Sequence, residues 1–356
     1  GTGAIGSFYG SRLHQPKNQV FVSFICRSNY SQVSKFGLKF ETHTFGSYHL
    51  IPHQVFNSIQ SAASQGPTGS QRGWDFIILC TKALPDQVDD SELLSPLFSN
   101  TTSSVVSPTL LLIQNGLGFE DLHRRRYPHV PLLSAVTVVN AEQLEPGLIR
   151  QNRWTRISIG PYVDFDYLHP TKPSTQTQLA SICNEKINIL VTLFKQGNIL
   201  DAMAYSQRDL QLLRWHKLAI NASMNPSSVL SGGLTNPQMV SDPILRTHLI
   251  GCMNEIFNAT FKIFDISSFP SHFATIDQIL RSIERAKDGS GAIKPSMLVD
   301  WEHHKPLELE VILGIPIKIA TRAGARMDRL QSMHAFLINL QATRKRNPDR
   351  RLLAKV

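Results

Sequence analysis

Four cysteines (Cys26, Cys80, Cys183 and Cys252) in 356 residues lie far apart with no CxxC pair. That scarcity argues against a disulfide frame or a cysteine zinc site, and it fits reduced thiols in an intracellular compartment. No apolar run approaches the roughly 20 residues of a membrane span, so no membrane partner is expected. No signal peptide, internal repeat or extended low-complexity segment is visible. Charge is unbalanced but not extreme, with 36 Lys and Arg against 27 Asp and Glu, a formal net charge of +9. The excess suits an anionic ligand or substrate and is equally ordinary for a soluble protein. The basic clusters His123-Arg124-Arg125-Arg126 and Thr343-Arg344-Lys345-Arg346 are short and carry no interleaved aromatics, so no nucleic-acid partner is expected either. A chain of this length, 42% hydrophobic, can build two packed domains.

What the chain does have begins at its first residue. Gly1-Thr2-Gly3-Ala4-Ile5-Gly6-Ser7 fits GxGxxG, a loop whose backbone N–H groups and following helix N-terminus can meet a pyrophosphate. The helix reads through Leu13, whereas the strand that should precede the loop is missing. Gln19 to Cys26 reads as the next strand. It ends Cys26-Arg27-Ser28-Asn29, with no carboxylate to hold a ribose 2′-hydroxyl. Arg27 either pairs with a 2′-phosphate, which favours NADP, or is a solvent-facing strand-end residue.

Ser58 to Gly73 is polar and reads as an inserted surface loop. Trp74 to Cys80 and Thr109 to Ile113 read as buried strands. They deliver Lys82 and Asn115 to their carboxyl ends, where ligands bind in open parallel sheets. Taken singly, these are also an ordinary solvated lysine and an Asn-Gly turn. Leu133 to Asn140 and Arg156 to Ile159 read as further strands, the second preceded by the turn Pro146-Gly147. Tyr162 to Thr177 reads as a loop and Gln178 to Gln196 as a helix. From Ser206 the pattern is helical, with a start at Asp242-Pro243, a run to Phe264, and final helices over Glu308 to Ala325 and Asp328 to Thr343. Asp277 to Gly291 gives no clear assignment. The expected architecture is an α/β nucleotide domain over 1–205 and an all-helical domain over 206–356.

Within the second domain, Lys217, Asn221 and Asn225 recur every four residues and share one helix face. The stripe reads either as a solvent face or as the lining of a polar site. Asn is a mediocre helix former that a surface face would exchange for Glu, Lys or Gln, and Lys is a common catalytic acid.

Gly1-Thr2-Gly3-Ala4-Ile5-Gly6-Ser7, Cys80-Thr81-Lys82-Ala83, Gln114-Asn115-Gly116-Leu117-Gly118, Lys217-Leu218-Ala219-Ile220-Asn221 with Asn225-Pro226, and Pro295-Ser296-Met297-Leu298-Val299-Asp300 with Glu308 together resemble the ketopantoate reductase (2-dehydropantoate 2-reductase) family. The resemblance runs nearly the whole length. It implies a Rossmann-type domain followed by an all-α domain like the C-terminal domain of 6-phosphogluconate dehydrogenase, with the first strand missing here. It also implies NADPH-dependent reduction of 2-dehydropantoate to (R)-pantoate, a step towards coenzyme A. The expected location is the cytoplasm, or a mitochondrion where a targeting segment precedes Gly1. By that analogy Gly1, Gly3, Ala4, Ile5 and Gly6 hold the cofactor, Arg27 its adenosine phosphate, and Lys82 and Asn115 its reacting end. Lys217 is the general acid and Glu308 sits beside it and the nicotinamide ribose. Asn115, Asn221, Asn225, Asn236 and Ser296 bind substrate, although Asn236 stands one residue further from Asn225 than the pattern has it. The partner is a small 2-oxo acid, the protein a monomer or homodimer, and no metal is implied. Read without the resemblance, Ser296 is a helix N-cap and Glu308 a first-turn acid after Pro306. The alternatives are reduction of a different 2-oxo acid and a non-catalytic NADPH sensor.

Overall fold

A computed structural model of the chain describes residues 1–67, 73–99, 107–164, 173–285 and 294–346. The chain divides into two compact units. The first holds Gly1–Lys82, Asp89–Asn115 and Phe119–Leu210; the second holds Ala83–Val88, Gly116–Gly118 and the chain from Gln211 onward.

The first unit is α/β, with strands β1 (Phe24–Ile25), β2 (Leu38–Thr42), β3 (Gly46–Leu50), β4 (Val55–Phe56), β5 (Phe76–Leu79), β6 (Thr109–Leu112), β7 (Leu132–Glu145), β8 (Leu148–Pro161) and β9 (Ala202–Ala204). Among the described residues one sheet runs β3-β2-β8-β7-β6-β5, with β9 also paired to β8. β5, β6 and β7 are parallel. All four residues of β6 are buried, which is why it is apolar almost throughout rather than alternating. β2 does alternate, with Leu38, Phe40 and Thr42 inward and Lys39 and Glu41 outward.

Several elements differ from the sequence expectation. The strand expected over Gln19 to Cys26 contracts to β1, because Gln19 takes φ +59 after the Pro16–Asn18 turn and β1 pairs only with the equally short β4, in a separate parallel ladder. The strands expected over Leu133 to Asn140 and Arg156 to Ile159 are parts of a longer hairpin. Pairing of β7 with β8, and of β8 with β2, keeps the backbone extended beyond them. Part of the expected Ser58 to Gly73 loop is the Ile59–Gln65 helix, capped where Ser58 Oγ accepts from Ser61 N at 3.1 Å. The cap and Ala62-Ala63 outweigh the polar composition; residues 68–72 lie outside the described ones. The Pro173–Gln196 helix begins within the expected Tyr162 to Thr177 loop, with proline at its first position. Residues 165–172 are likewise outside.

The glycine-loop helix, Ala4–Leu13, is anchored by its buried face. Phe8, Tyr9 and Leu13 join a core with Leu111, Leu133, Ile159 and Phe194. The Tyr9 hydroxyl donates to the Thr155 and Arg156 carbonyls of β8, at 3.1 and 2.9 Å. The first basic cluster is partly internal. Arg124 is buried, and its guanidinium donates to the carbonyls of Tyr127, Pro128, Val130 and Tyr162.

In the second unit the regular elements among the described residues are helices. Pro243–Phe264 is capped by Asp242, whose carboxylate accepts from Ile244 N and Leu245 N, and it buries Leu249, Cys252, Met253 and Ile256 at helical spacing. Asp328–Arg346 starts where the Glu255 carboxylate accepts from Arg329 N and Leu330 N. The stretch expected as one helix from Glu308 to Ala325 is a π-helical turn, Glu310–Gly314, followed by the Ile315–Arg322 helix. Asp277 falls in the Ile276–Arg285 helix, and residues 286–293 lie outside the description. No described helix is long and apolar enough to cross a membrane.

Candidate active site

The first unit carries the glycine loop. Gly3 is the N-cap of Ala4–Leu13 and offers no side-chain cap, and the first turn holds no acid. The helix N-terminus therefore keeps N–H groups available to an anion. The glycines are not equivalent. A Cβ on Gly6 would stand 2.1 Å from the Gly1 carbonyl oxygen, so the loop can close only with glycine there; a Cβ on Gly3 would meet nothing within 4 Å. Gly1 packs on the end of β5, where a Cβ would come 2.9 Å from Thr81 Cγ2. Ala4 and Ile5 form the first helical residues.

Thr2 ties this loop to the end of β1. Its hydroxyl donates to Ile25 O at 2.8 Å, and Asn29 Nδ2 donates to Thr2 O at 2.8 Å. Arg27 lies between these contacts and is exposed, with no acid on the Cys26-Arg27-Ser28-Asn29 turn. Lys82, exposed, and Asn115, half-buried, each follow a strand end. Those two ends are stapled by Gln114, whose Nε2 donates to Thr81 O at 3.2 Å and to Asp90 Oδ2 at 3.0 Å.

The second unit carries the lysine. Gln207–Leu230 is one helix with Pro226 inside it, and Lys217, Asn221 and Asn225 do stack along one face, Asn225 being buried and the other two partly so. The face is therefore not an ordinary solvent stripe. Burial is the largest influence on Lys217 and pulls its titration down. The nearby Arg214 guanidinium adds to that fall and the Glu308 carboxylate opposes both, leaving Lys217 at about 8.

Glu308 is 6% exposed, and its Oε1 accepts from Ala83 N at 3.0 Å. A buried carboxylate with a backbone donor and a lysine partner is not a surface acid capping a helix. The π-turn begins two residues on, at Glu310, and Val311 O accepts from Leu117 N at 2.9 Å. Gly116 is obligatory beside it: its φ is +86, and a Cβ would meet Val311 O at 2.5 Å. π-turns of this kind concentrate at functional sites.

Ser296 is the first residue of the Ser296–Glu302 helix and is exposed; Pro295, not Ser296, is the N-cap. Asn236 opens the Asn236–Ser241 helix, and its Oδ1 is buried without a hydrogen-bond partner among the described residues. The loop ahead of it approaches the Ser296 helix, since a Cβ on Gly233 would lie 3.8 Å from Leu298 Cδ1. Lys217 and Glu308 are thus brought together, Asn221 and Asn225 extend the lysine face, and Asn236 and Ser296 belong to the same unit. The cofactor-side residues all belong to the first unit.

Sequence reasoning missed Arg214, which is 3% exposed and whose Nη1 donates to Gly116 O at 3.3 Å. It stands three residues before Lys217, hence on the same side of the helix, and an arginine within an apolar helix was the available signal. The Ala83 N–H had none, being a backbone group 225 residues from its acceptor.

Two family descriptions match the chain: Ketopantoate reductase PanE/ApbA over residues 1–164 and Ketopantoate reductase PanE/ApbA C terminal over residues 209–341. An uncharacterised protein of Saccharomyces cerevisiae is 26% identical over 357 residues, which cover 97% of this chain and 93% of that one. The crystal structure of 2-dehydropantoate 2-reductase from Methylococcus capsulatus superposes with a TM-score of 0.74 at 27% identity, covering 96% of this chain and 95% of that one. The ternary structure of D-mandelate dehydrogenase with NADH and anilino(oxo)acetate superposes at a TM-score of 0.70 over 96% of this chain and 97% of that one. At 16% identity that likeness is one of fold.

Proposed function

Starting from a chain that belongs to the ketopantoate reductase PanE/ApbA family, a family of nicotinamide-dependent oxidoreductases, we propose that it reduces 2-dehydropantoate to (R)-pantoate with NADPH. The observation that carries this reading is Lys217, a partly buried amine on an amide-lined helix face, drawn down to about 8 beside a buried carboxylate.

The residues present fit the cofactor. The uncapped helix N-terminus at Gly3, with open space where a Cβ would be, accommodates a pyrophosphate, and Thr2 and Asn29 hold Arg27's turn against the loop. Arg27, with no competing acid on its turn, suits a 2′-phosphate. When bound, the reduced nicotinamide supplies a hydride to the ketone carbon. The chain's own part is the proton and the placement. As the carbonyl oxygen gains negative charge, the Lys217 ammonium stabilises it and delivers a proton at that oxygen. An amine near 8 is protonated at neutral pH yet acidic enough to release the proton. Glu308 keeps that proton on Lys217 until it is needed. Asn221 and Asn225 orient the substrate's polar groups, Asn236 offers an acceptor, and Ser296 takes the carboxylate. Lys82 and Asn115 act at the reacting end of the cofactor.

A second reading keeps these roles and changes the 2-oxo acid, because none of them shapes the pocket for the substrate's side chain. It gains from the fold-level likeness to a D-mandelate dehydrogenase. The test is NADPH and NADH oxidation by the purified protein with 2-dehydropantoate, pyruvate, branched 2-oxo acids and benzoylformate. A kcat/KM for 2-dehydropantoate well above the others supports the named reaction; preference for another acid moves the assignment to it. NADPH binding without turnover of any acid would leave a cofactor-binding sensor.

A further inference from the structure

We infer that the Asp328–Arg346 helix is a positioning brace for Glu308, acting through Gln341 and Arg344 on the Trp301–Leu307 segment. The inference deepens the reading of Lys217 and Glu308 as the proton-handling pair and rests on it.

The segment between the Ser296–Glu302 helix and Glu308 has little to hold itself in place. His304 adopts φ +58, which side-chain-bearing residues rarely take, and residues 302–306 are all exposed. Its internal ties include His304 N to Trp301 O at 3.1 Å, Lys305 N to Asp300 O at 2.8 Å and the His303 Nδ1 contact to Val299 O at 2.7 Å. The Asp328–Arg346 helix adds restraint from outside the segment. Gln341 Oε1 accepts from Leu307 N at 2.9 Å, across 34 residues of chain. One turn on, the Arg344 guanidinium lies 3.9 Å over the Trp301 ring and its Nη2 contacts His304 Nδ1. Gln341 and Arg344 are three apart, so both reach from one helix face. Cation–π contact and hydrogen bond grip the two ends of the same segment.

The grip matters because the segment runs straight into the buried Glu308. Leu307 is 1% exposed and Glu308 6%, so neither can shift without disturbing packed neighbours. The Glu308 head is fixed by the Ala83 N–H, and Ile312 N donates to the Glu308 carbonyl at 3.1 Å. The Leu307 amide is the handle on its other side, and Gln341 holds it. A carboxylate that offsets an ammonium must keep its distance from it, and misplacement on the order of 1 Å can reduce turnover about 100-fold. The charged groups that move Lys217's titration include Arg214, on its own helix, and Glu308; the brace controls the second.

The experiment compares Gln341→Leu, which removes the acceptor, with Gln341→Glu, which keeps one, and with Arg344→Ala on the other grip. Lys217 titration is read without cofactor, from the pH dependence of its labelling by an amine-reactive reagent followed by peptide mass spectrometry. The pH profile of kcat for the best 2-oxo acid is the second readout. In Gln341→Leu and Arg344→Ala, Lys217 should titrate lower than in the wild type, the alkaline limb of kcat should fall with it, and kcat should drop roughly tenfold. The NADPH KM should stay within about twofold, and Gln341→Glu should recover most of the loss. If both deleting variants lower Tm while Lys217 labelling and the alkaline limb stay at wild-type pH, the helix is a structural tie only and the inference is overturned. Should Gln341→Leu not fold, Arg344→Ala carries the same comparison. If the wild type reduces no 2-oxo acid, the functional reading fails, yet the labelling arm still decides the brace.

Discussion

Replacing Glu308 by Gln should move the alkaline limb of turnover towards acid. Lys217 stands at about 8 because burial and Arg214 pull it down while Glu308 holds it up. Glutamine keeps the shape and an acceptor for the Ala83 N–H but loses the charge, so only the downward influences remain. An opposite charge within about 4–6 Å commonly shifts a neighbour by about 1–3 pH units. Taking the low end, Lys217 would fall by about one unit. At about pH 8 its protonated share would then drop from about one half to about one tenth, while at about pH 6 it would stay near nine tenths. Turnover at saturating NADPH and 2-oxo acid should therefore fall about fivefold more at the higher pH than at the lower. Arg214→Met should act in the opposite sense and extend the limb to higher pH. The assay is initial rate against pH for the wild type and both variants. A limb that stays put in both variants, or that moves up in Glu308→Gln, would remove Lys217 as the proton donor.

Lys217 also predicts how stability depends on pH. An unfolded lysine holds its proton to about 10.5 and folded Lys217 only to about 8, so its unfavourable contribution is full below about 8 and lifts as pH rises through that window. The change amounts to at most about 3 kcal/mol. Urea unfolding of Lys217→Met should lack that rise, and equal slopes for both proteins would contradict it. Gly3→Ala should leave unfolding within about 0.5 kcal/mol of wild type, since the new methyl meets open space. It should still weaken NADPH at least tenfold in a fluorescence titration; unchanged affinity would mean that the pyrophosphate does not rest there. Arg124→Met strands the carbonyls of Tyr127, Pro128, Val130 and Tyr162 and should destabilise by about 2–4 kcal/mol in urea. A loss below about 1 kcal/mol would show water replacing the guanidinium.

The parts of this molecule that sequence can disclose are those written locally. β5 and β6 were legible as compact apolar runs, and the Pro243–Phe264 helix as an Asp-Pro start leading into helical spacing. The Lys217, Asn221 and Asn225 stripe was legible as a repeat of four. Its burial was not, because that depends on what packs over the helix. β1 failed as an eight-residue strand because strand length is set by partners, and its partner is two residues long. Ile59–Gln65 was hidden by polar composition that a single serine cap overrides. Arg214 stood within reach of the sequence, three residues from Lys217 on one helix, whereas the Ala83 N–H and Gln341 contacts are tertiary and no local pattern encodes them.

The short excursions Ala83–Val88 and Gly116–Gly118 leave the sheet unit and are counted with the helical one. Modularity is lost as a result. A protein cut near residue 210 does not yield two self-sufficient pieces, because the later piece would lack the amide that holds Glu308 and the glycine turn that lies against Val311. Exchanging helical halves between homologues would likewise demand that three separate stretches travel together.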